Sequence, residues 1–174
     1  LAERGIVVSY EAIRAWVGKF GPQIAKRVRA TRPRPTDKWH LDEVVIMING
    51  VRHWLWRAVD SNGEVLDILV QTRRNARAAK RFISQLIASW GEPRVIVTDK
   101  LNNRIEGSHR PTRKREKIQG RFESARQAQR FLCAHDETAN LFRPRRHKMT
   151  ASKYRQSLAA AFERWNDCAK SMAA

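Results

Sequence analysis

Acidic residues are scarce in this chain. Seventeen Asp and Glu stand against thirty-five Lys and Arg in 174 residues, giving a formal net charge of +18 and a sequence pI near 11.2. Like charges repel in the compact state, so such an excess does little for folding and points to a polyanionic partner, nucleic acid first. An acidic membrane surface ranks second. No apolar run approaches the ~20 residues of a membrane span, and no basic amphipathic helix with a clean apolar face stands out. Cysteine is rare too: Cys133 and Cys168 stand in helix-like segments with no CxxC spacing and no secretory leader before them. They are expected to be reduced, mostly buried thiols of a cytosolic protein. The first residue is Leu rather than Met, which suggests a fragment or an unusual start.

The length suffices for one domain with a substantial core and a small appendage. Its centre is residues 38–71, where β-branched and aromatic residues dominate and two turn signals, Asn49-Gly50 and Ser61-Asn62-Gly63, cut the stretch into three pieces. The expectation is a three-stranded antiparallel meander. Within its first strand Asp42 shares a face with Val44, Ile46 and Ile48, so a carboxylate lies at the end of an apolar stripe. One explanation is a solvated strand end. The other is a metal ligand, which requires further carboxylates to converge on it.

Before the meander, residues 1–21 suggest a partial helix-turn-helix. A Gly-centred turn at Gly5 precedes a helix N-capped by Ser9, with Ile13, Trp16, Val17 and Phe20 on one face of a recognition helix running from Tyr10 to Phe20. Any amphipathic helical hairpin has the same pattern. A basic linker is expected over 22–37, where Pro33 and Pro35 disfavour helix. After the meander, Ala79, Phe82, Ile83, Leu86, Ile87 and Trp90 recur at helical spacing until Gly91 and Pro93 end the helix. Arg73, Arg74, Arg77, Lys80 and Arg81 crowd its first turns, where the helix dipole disfavours cations. This hints at service to a partner, with a solvated face as the alternative. The β-branched run Val95–Thr98 then suggests a parallel strand, and Asp99 follows at its carboxyl end, where α/β sheets commonly place ligands. A very basic segment, residues 110–117, leads to helices expected over 123–142 and 150–170.

Three strands, a helix and a fourth strand, with an acidic residue in the first strand and another after the fourth, outline a ribonuclease H-like α/β mixed sheet with C-terminal helices. The blocks WHLDEVVIMINGVRHWLWRAVDSNGEVLDILVQ, PRVIVTDK, NNRIEGSH followed by RPTRKRE, and AQRFLCAHDETANLFRPRRHKMTASKYR resemble successive blocks of the bacterial insertion-sequence transposases of the IS-six family, which belong to the DDE class. The resemblance implies a catalytic domain over 38–174 that cuts and joins DNA with two divalent ions, Mg²⁺ or Mn²⁺. It places the acidic triad on Asp42, Asp99 and Glu106. The partners it implies are double-stranded DNA, as terminal inverted repeats and target, and further copies of the chain on that DNA. The expected location is cytoplasmic and nucleoid-associated. Lys100, Arg104, His109, Arg113, Lys114 and Arg115 are the candidates for holding phosphates; for Lys100, Arg104 and His109 an ordinary loop role is at least as good an account.

The chain also departs from its family. Asp99 and Glu106 are only seven positions apart, where the family carries a further helix and strand, so an internal deletion is the simplest account. Ile105 replaces a small residue. Two expectations follow: a transposase, impaired or not by the deletion, or a catalytically inactive DNA-binding remnant of one.

Overall fold

In the computed structural model the described residues are 8–98, 122–142 and 149–173. They form helix α1 (Tyr10–Ala30), strands β1 (Lys38–Ile48), β2 (Val51–Asp60) and β3 (Val65–Gln71), helix α2 (Ala76–Trp90), strand β4 (Val95–Thr98), and helices α3 (Ala125–Phe142) and α4 (Ala151–Ala173). The chain divides into two compact units, Pro33–Leu132 and the pair of segments Leu1–Arg32 with Cys133–Ala174.

The first unit holds a four-stranded mixed sheet in the order β3-β2-β1-β4. β1, β2 and β3 are the expected meander, and β4 lies parallel to β1, the strand arrangement of the ribonuclease H-like outline. At the first turn Asn49 and Gly50 both take positive φ, 49° and 75°. This left-handed pair matches the natural twist of a two-residue hairpin, and the Asn-Gly sequence suits it. The second turn is tied down by Asp60, which is buried. Its carboxylate accepts from Glu64 N at 2.9 Å and from both the backbone N and the hydroxyl of Thr36 at 3.2 Å, joining the β2–β3 turn to the chain entering β1.

Helix α2 starts at an Asn75 cap whose side chain accepts from Ala78 N and ends at Gly91, with φ 85°. Phe82 and Leu86 on its buried side pack with Trp39, Leu41, Ala58 and Leu66, supported by Trp56, Leu69 and Ile96. α2 therefore covers the face of the sheet carrying the odd-numbered residues of β1. At the far end of β1, Phe122 bridges Ile48 and the Asn49 amide donates to Glu123 O at 2.7 Å. Gln129, one turn into α3, reaches the outer edge of β3, accepting from Val70 N at 2.7 Å and donating to Ile68 O at 2.8 Å. Its amide thus takes the place of a neighbouring strand on an edge that would otherwise be open to pairing. On the other face of the sheet Ile46, Ile48, Leu55 and Ile68 are buried.

In the second unit α1 runs ten residues past Phe20, so residues 22–30, expected as linker, are helical. The reason is tertiary. Gly21, Ala25 and Val28 form a buried stripe, and Gly21 approaches so closely that a Cβ there would lie 3.1 Å from Ala134 Cβ. Packing along this stripe outweighs the lost backbone bond at Pro22. Ser9 caps the helix as expected, through Ala12 N at 3.1 Å. Ile13, Trp16 and Phe20, expected to form the packed face, are exposed. The first helix of the expected helix-turn-helix lies outside the described residues. Val28, Leu141, Ala161 and Cys168 form this unit's core, and both cysteines are free thiols, as expected.

Glu137 is buried among these helices, with Arg29 Nε at 2.8 Å and Arg32 Nη1 at 3.0 Å from its carboxylate. Burial pushes its carboxyl above the ordinary 4.5, against the opposing pull of Arg32 and Arg29. Replacing it with Ala leaves two guanidiniums without their counter-charge, one of them almost fully buried, and should cost about 3–5 kcal/mol of stability in denaturant unfolding. The raised value also sets a sign. This group's contribution is largest below 4.5 and is lost as pH rises through the folded value, so Glu137→Gln should flatten that part of the stability–pH curve. Gln129→Ala, which uncovers one donor and one acceptor of β3, should cost about 1–2 kcal/mol by the same measurement.

Candidate active site

Asp42 lies in β1 on the even face, half-buried, with its Oδ1 accepting from Glu43 N at 2.8 Å. Its position is fixed from both sides. The Asn49-Gly50 turn sets the antiparallel register, which aligns Asp42 with Arg57 of β2. Residues aligned across strands share a face, and Arg57 is buried at 1% exposure. A guanidinium taken so far out of water needs compensating polar company, and a carboxylate position is its direct neighbour. Arg57 was not among the residues singled out by sequence. Its signal was present, since counting outward equally from the Asn49-Gly50 turn pairs the two residues.

On the other side β4 pairs with β1 in parallel from Lys38↔Val95 to Leu41↔Thr98. The described part of β4 stops there, and the next residue along β1 is Asp42. Further along the same edge the chain returns at Phe122, beside Ile48. Residues 99–121 therefore leave and rejoin the β1 edge at points seven β1 positions apart, about 23 Å at ~3.3 Å per residue, with Asp42 between them.

Glu43, next to Asp42 in sequence, is turned to the opposite face. There it pairs with Arg74, whose guanidinium also sits 5.6 Å from the centroid of Trp54. The acidic pair seen in the sequence is thus divided by the sheet, and Glu43 belongs to the α2 side. Asp99, Glu106, Lys100, Arg104, His109, Arg113, Lys114 and Arg115 all lie outside the described residues. Among the described residues no group of three or more His, Cys, Asp or Glu side chains is placed to hold a metal ion. Asp42 alone of the expected triad is in view, on a strand flanked by the ends of the segment carrying the other two. No helix among the described residues is long and apolar enough to cross a membrane.

A family model described as a DDE domain matches residues 36–102, from the approach to β1 to just past β4. The transposase for insertion sequence-like element IS431mec of Staphylococcus aureus is 33% identical over 99 residues, 57% of this chain and 44% of its own length. The transposase of insertion sequence element IS257 in transposon Tn4003, also of S. aureus, is 32% identical over the same shares. Over these matched stretches the chain is similar in sequence to the DDE transposases of the IS-six family. It spans under half the length of these transposase relatives. Among solved structures, the HTLV-2 integrase catalytic core domain in complex with magnesium is similar at 18% identity and a TM-score of 0.34, over 45% of this chain and 57% of that one. A simian T-cell lymphotropic virus intasome is similar at 14% identity and a TM-score of 0.35, over 75% and 48%.

Proposed function

We propose that this chain acts on DNA as a transposase of the IS-six family, cutting and joining insertion-sequence ends by phosphoryl transfer, with Asp42, Asp99 and Glu106 as the ligands of two Mg²⁺ or Mn²⁺ ions. The observation that carries the reading is the parallel register ending at Leu41↔Thr98. Strand neighbours in register send side chains to the same face about 5 Å apart; in sequence Asp42 follows Leu41 and Asp99 follows Thr98, which supports bringing the two carboxylates together. Three carboxylates suit the task because two hard cations about 3.5–4 Å apart must share oxygen ligands. Bound there, such ions supply activation of the attacking water or 3′-hydroxyl and stabilisation of the leaving oxygen. The chain's own part is to fix the carboxylates: β1 holds Asp42, and the aligned Arg57 adds a buried positive charge beside it. Lys100, Arg104, His109, Arg113, Lys114 and Arg115 are proposed to hold phosphates. The working unit is a homo-oligomer on terminal inverted repeats and target DNA.

A second reading, a DNA-binding remnant without catalysis, is favoured by the seven-residue step from Asp99 to Glu106 together with the position of β4. Among the described residues β4 is an edge strand, with Val95, Ile96 and Val97 only half-buried. The two readings part on one experiment. With labelled inverted-repeat DNA and Mg²⁺ or Mn²⁺, the chain should nick the end, EDTA should stop it, and Asp42→Asn should lower cleavage by at least about a hundredfold. Glu43→Gln, on the other face, should keep cleavage within about twofold of the parent. Cleavage undiminished in Asp42→Asn refutes the site. Binding with no cleavage under any metal establishes the remnant.

A further inference from the structure

We infer a second duplex-DNA binding surface on the face of the sheet opposite Asp42, built by Arg73, Arg77, Lys80 and Arg81 at the start of α2. All four residues are exposed. Their neighbour Arg74 is engaged by Glu43 and Trp54, but these four have no ion-pair partner among the described residues. Helix Ala76–Trp90 itself contains no Asp or Glu. Ala78, Phe82 and Leu86 mark the buried side of α2, and Arg77, Lys80 and Arg81 fall at i, i+3 and i+4 on the opposite side, so their heads form one cluster facing water.

Folding alone disfavours this arrangement. The cations repel one another, and they sit at the end of the helix where the macrodipole is already positive. A polyanion reverses both penalties at once. A row of cations on one regular helix suits repeated phosphates rather than a single acidic group, and the apolar side of α2 is committed to the core on Trp39 and Leu41. A membrane-surface helix would need that side for insertion. Exposed large apolar side chains are likewise absent from α2 among the described residues. The partner that fits is the backbone of duplex DNA, read without base specificity.

The surface shares with the proposed function its choice of DNA, but needs neither metal nor carboxylate, so the two fail separately. The test is fluorescence anisotropy of the full chain with a labelled duplex of arbitrary sequence in EDTA, across a salt series. Expected is that the combined Arg73→Gln, Arg77→Gln, Lys80→Gln and Arg81→Gln variant binds at least about tenfold more weakly. The slope of its log K against log salt should flatten by about 0.9 for each phosphate that the parent neutralises and the variant does not. Arg73→Lys, Arg77→Lys and Arg81→Lys together should retain the parent slope. An unchanged slope in the Gln variant, with circular dichroism and melting like the parent, overturns the inference. So does binding of the parent chain to phosphatidylserine vesicles with none to duplex DNA. Loss of metal-dependent cleavage with DNA binding intact bears on the proposed function and leaves this surface standing.

Discussion

The two-residue turn at Asn49 and Gly50 is the constraint on which the sheet of this protein depends. A one-residue slip in a hairpin sends every side chain to the other face of the sheet. In this register the odd residues of β1 look toward α2, the even residues look to the other face, and Asp42 and Glu43 are assigned opposite sides. The bulge in the second hairpin, between Ala58 and Val59, lets Leu66 enter the core under α2 without disturbing that assignment. Gln129 then closes the outer edge of β3 by imitating a strand.

In a chain so rich in cations, the placement of its few carboxylates is informative. Several described ones serve structure. Asp60 joins two loops, Glu137 gathers Arg29 and Arg32, Glu43 holds Arg74 over the sheet, and Asp37 holds Arg94 at the entrance to β4. Each sits where a backbone amide or a guanidinium has been brought in to meet it. The cations are distributed by a different rule. Many stay on exposed faces without a local counter-charge, as on α2, which makes the surplus an external rather than an internal device.

The sheet was legible because its signals are local. Asn-Gly and Ser-Asn-Gly turns, period-two alternation and a β-branched run after an amphipathic helix specify strands, order and direction with little help from distant parts of the chain. The stop at Gly91 was legible for the same reason. The N-terminal helix was not. Gly21-Pro22 has the look of a helix end, but Gly21 is there for close approach to Ala134, a meeting of residues more than a hundred positions apart. The Glu137 cluster escaped for the same cause, since Arg29 and Arg32 are as remote from it in sequence. At the candidate site the position and face of Asp42 could be read in advance, while the burial of Arg57 is a tertiary outcome that local patterning does not specify.

The free edge of β1 bears most directly on the shortened connection after Asp99. β4 pairs with only the first four residues of β1, and the edge is met again at Ile48 by Phe122. Between these two points lies the stretch of β1 that begins with Asp42. On both sides of residues 99–121 the described chain meets β1, beside Leu41 through Thr98 and beside Ile48 through Phe122. From Thr98, eight residues can extend at most about 26–29 Å, more than the roughly 23 Å of β1 between those two points. Reach alone therefore does not exclude the proposed site, while the orientation that catalysis would demand, within about 0.5 Å, is a separate requirement. The strand that carries Asp42 is held in place by its own pairings with β2 and β4.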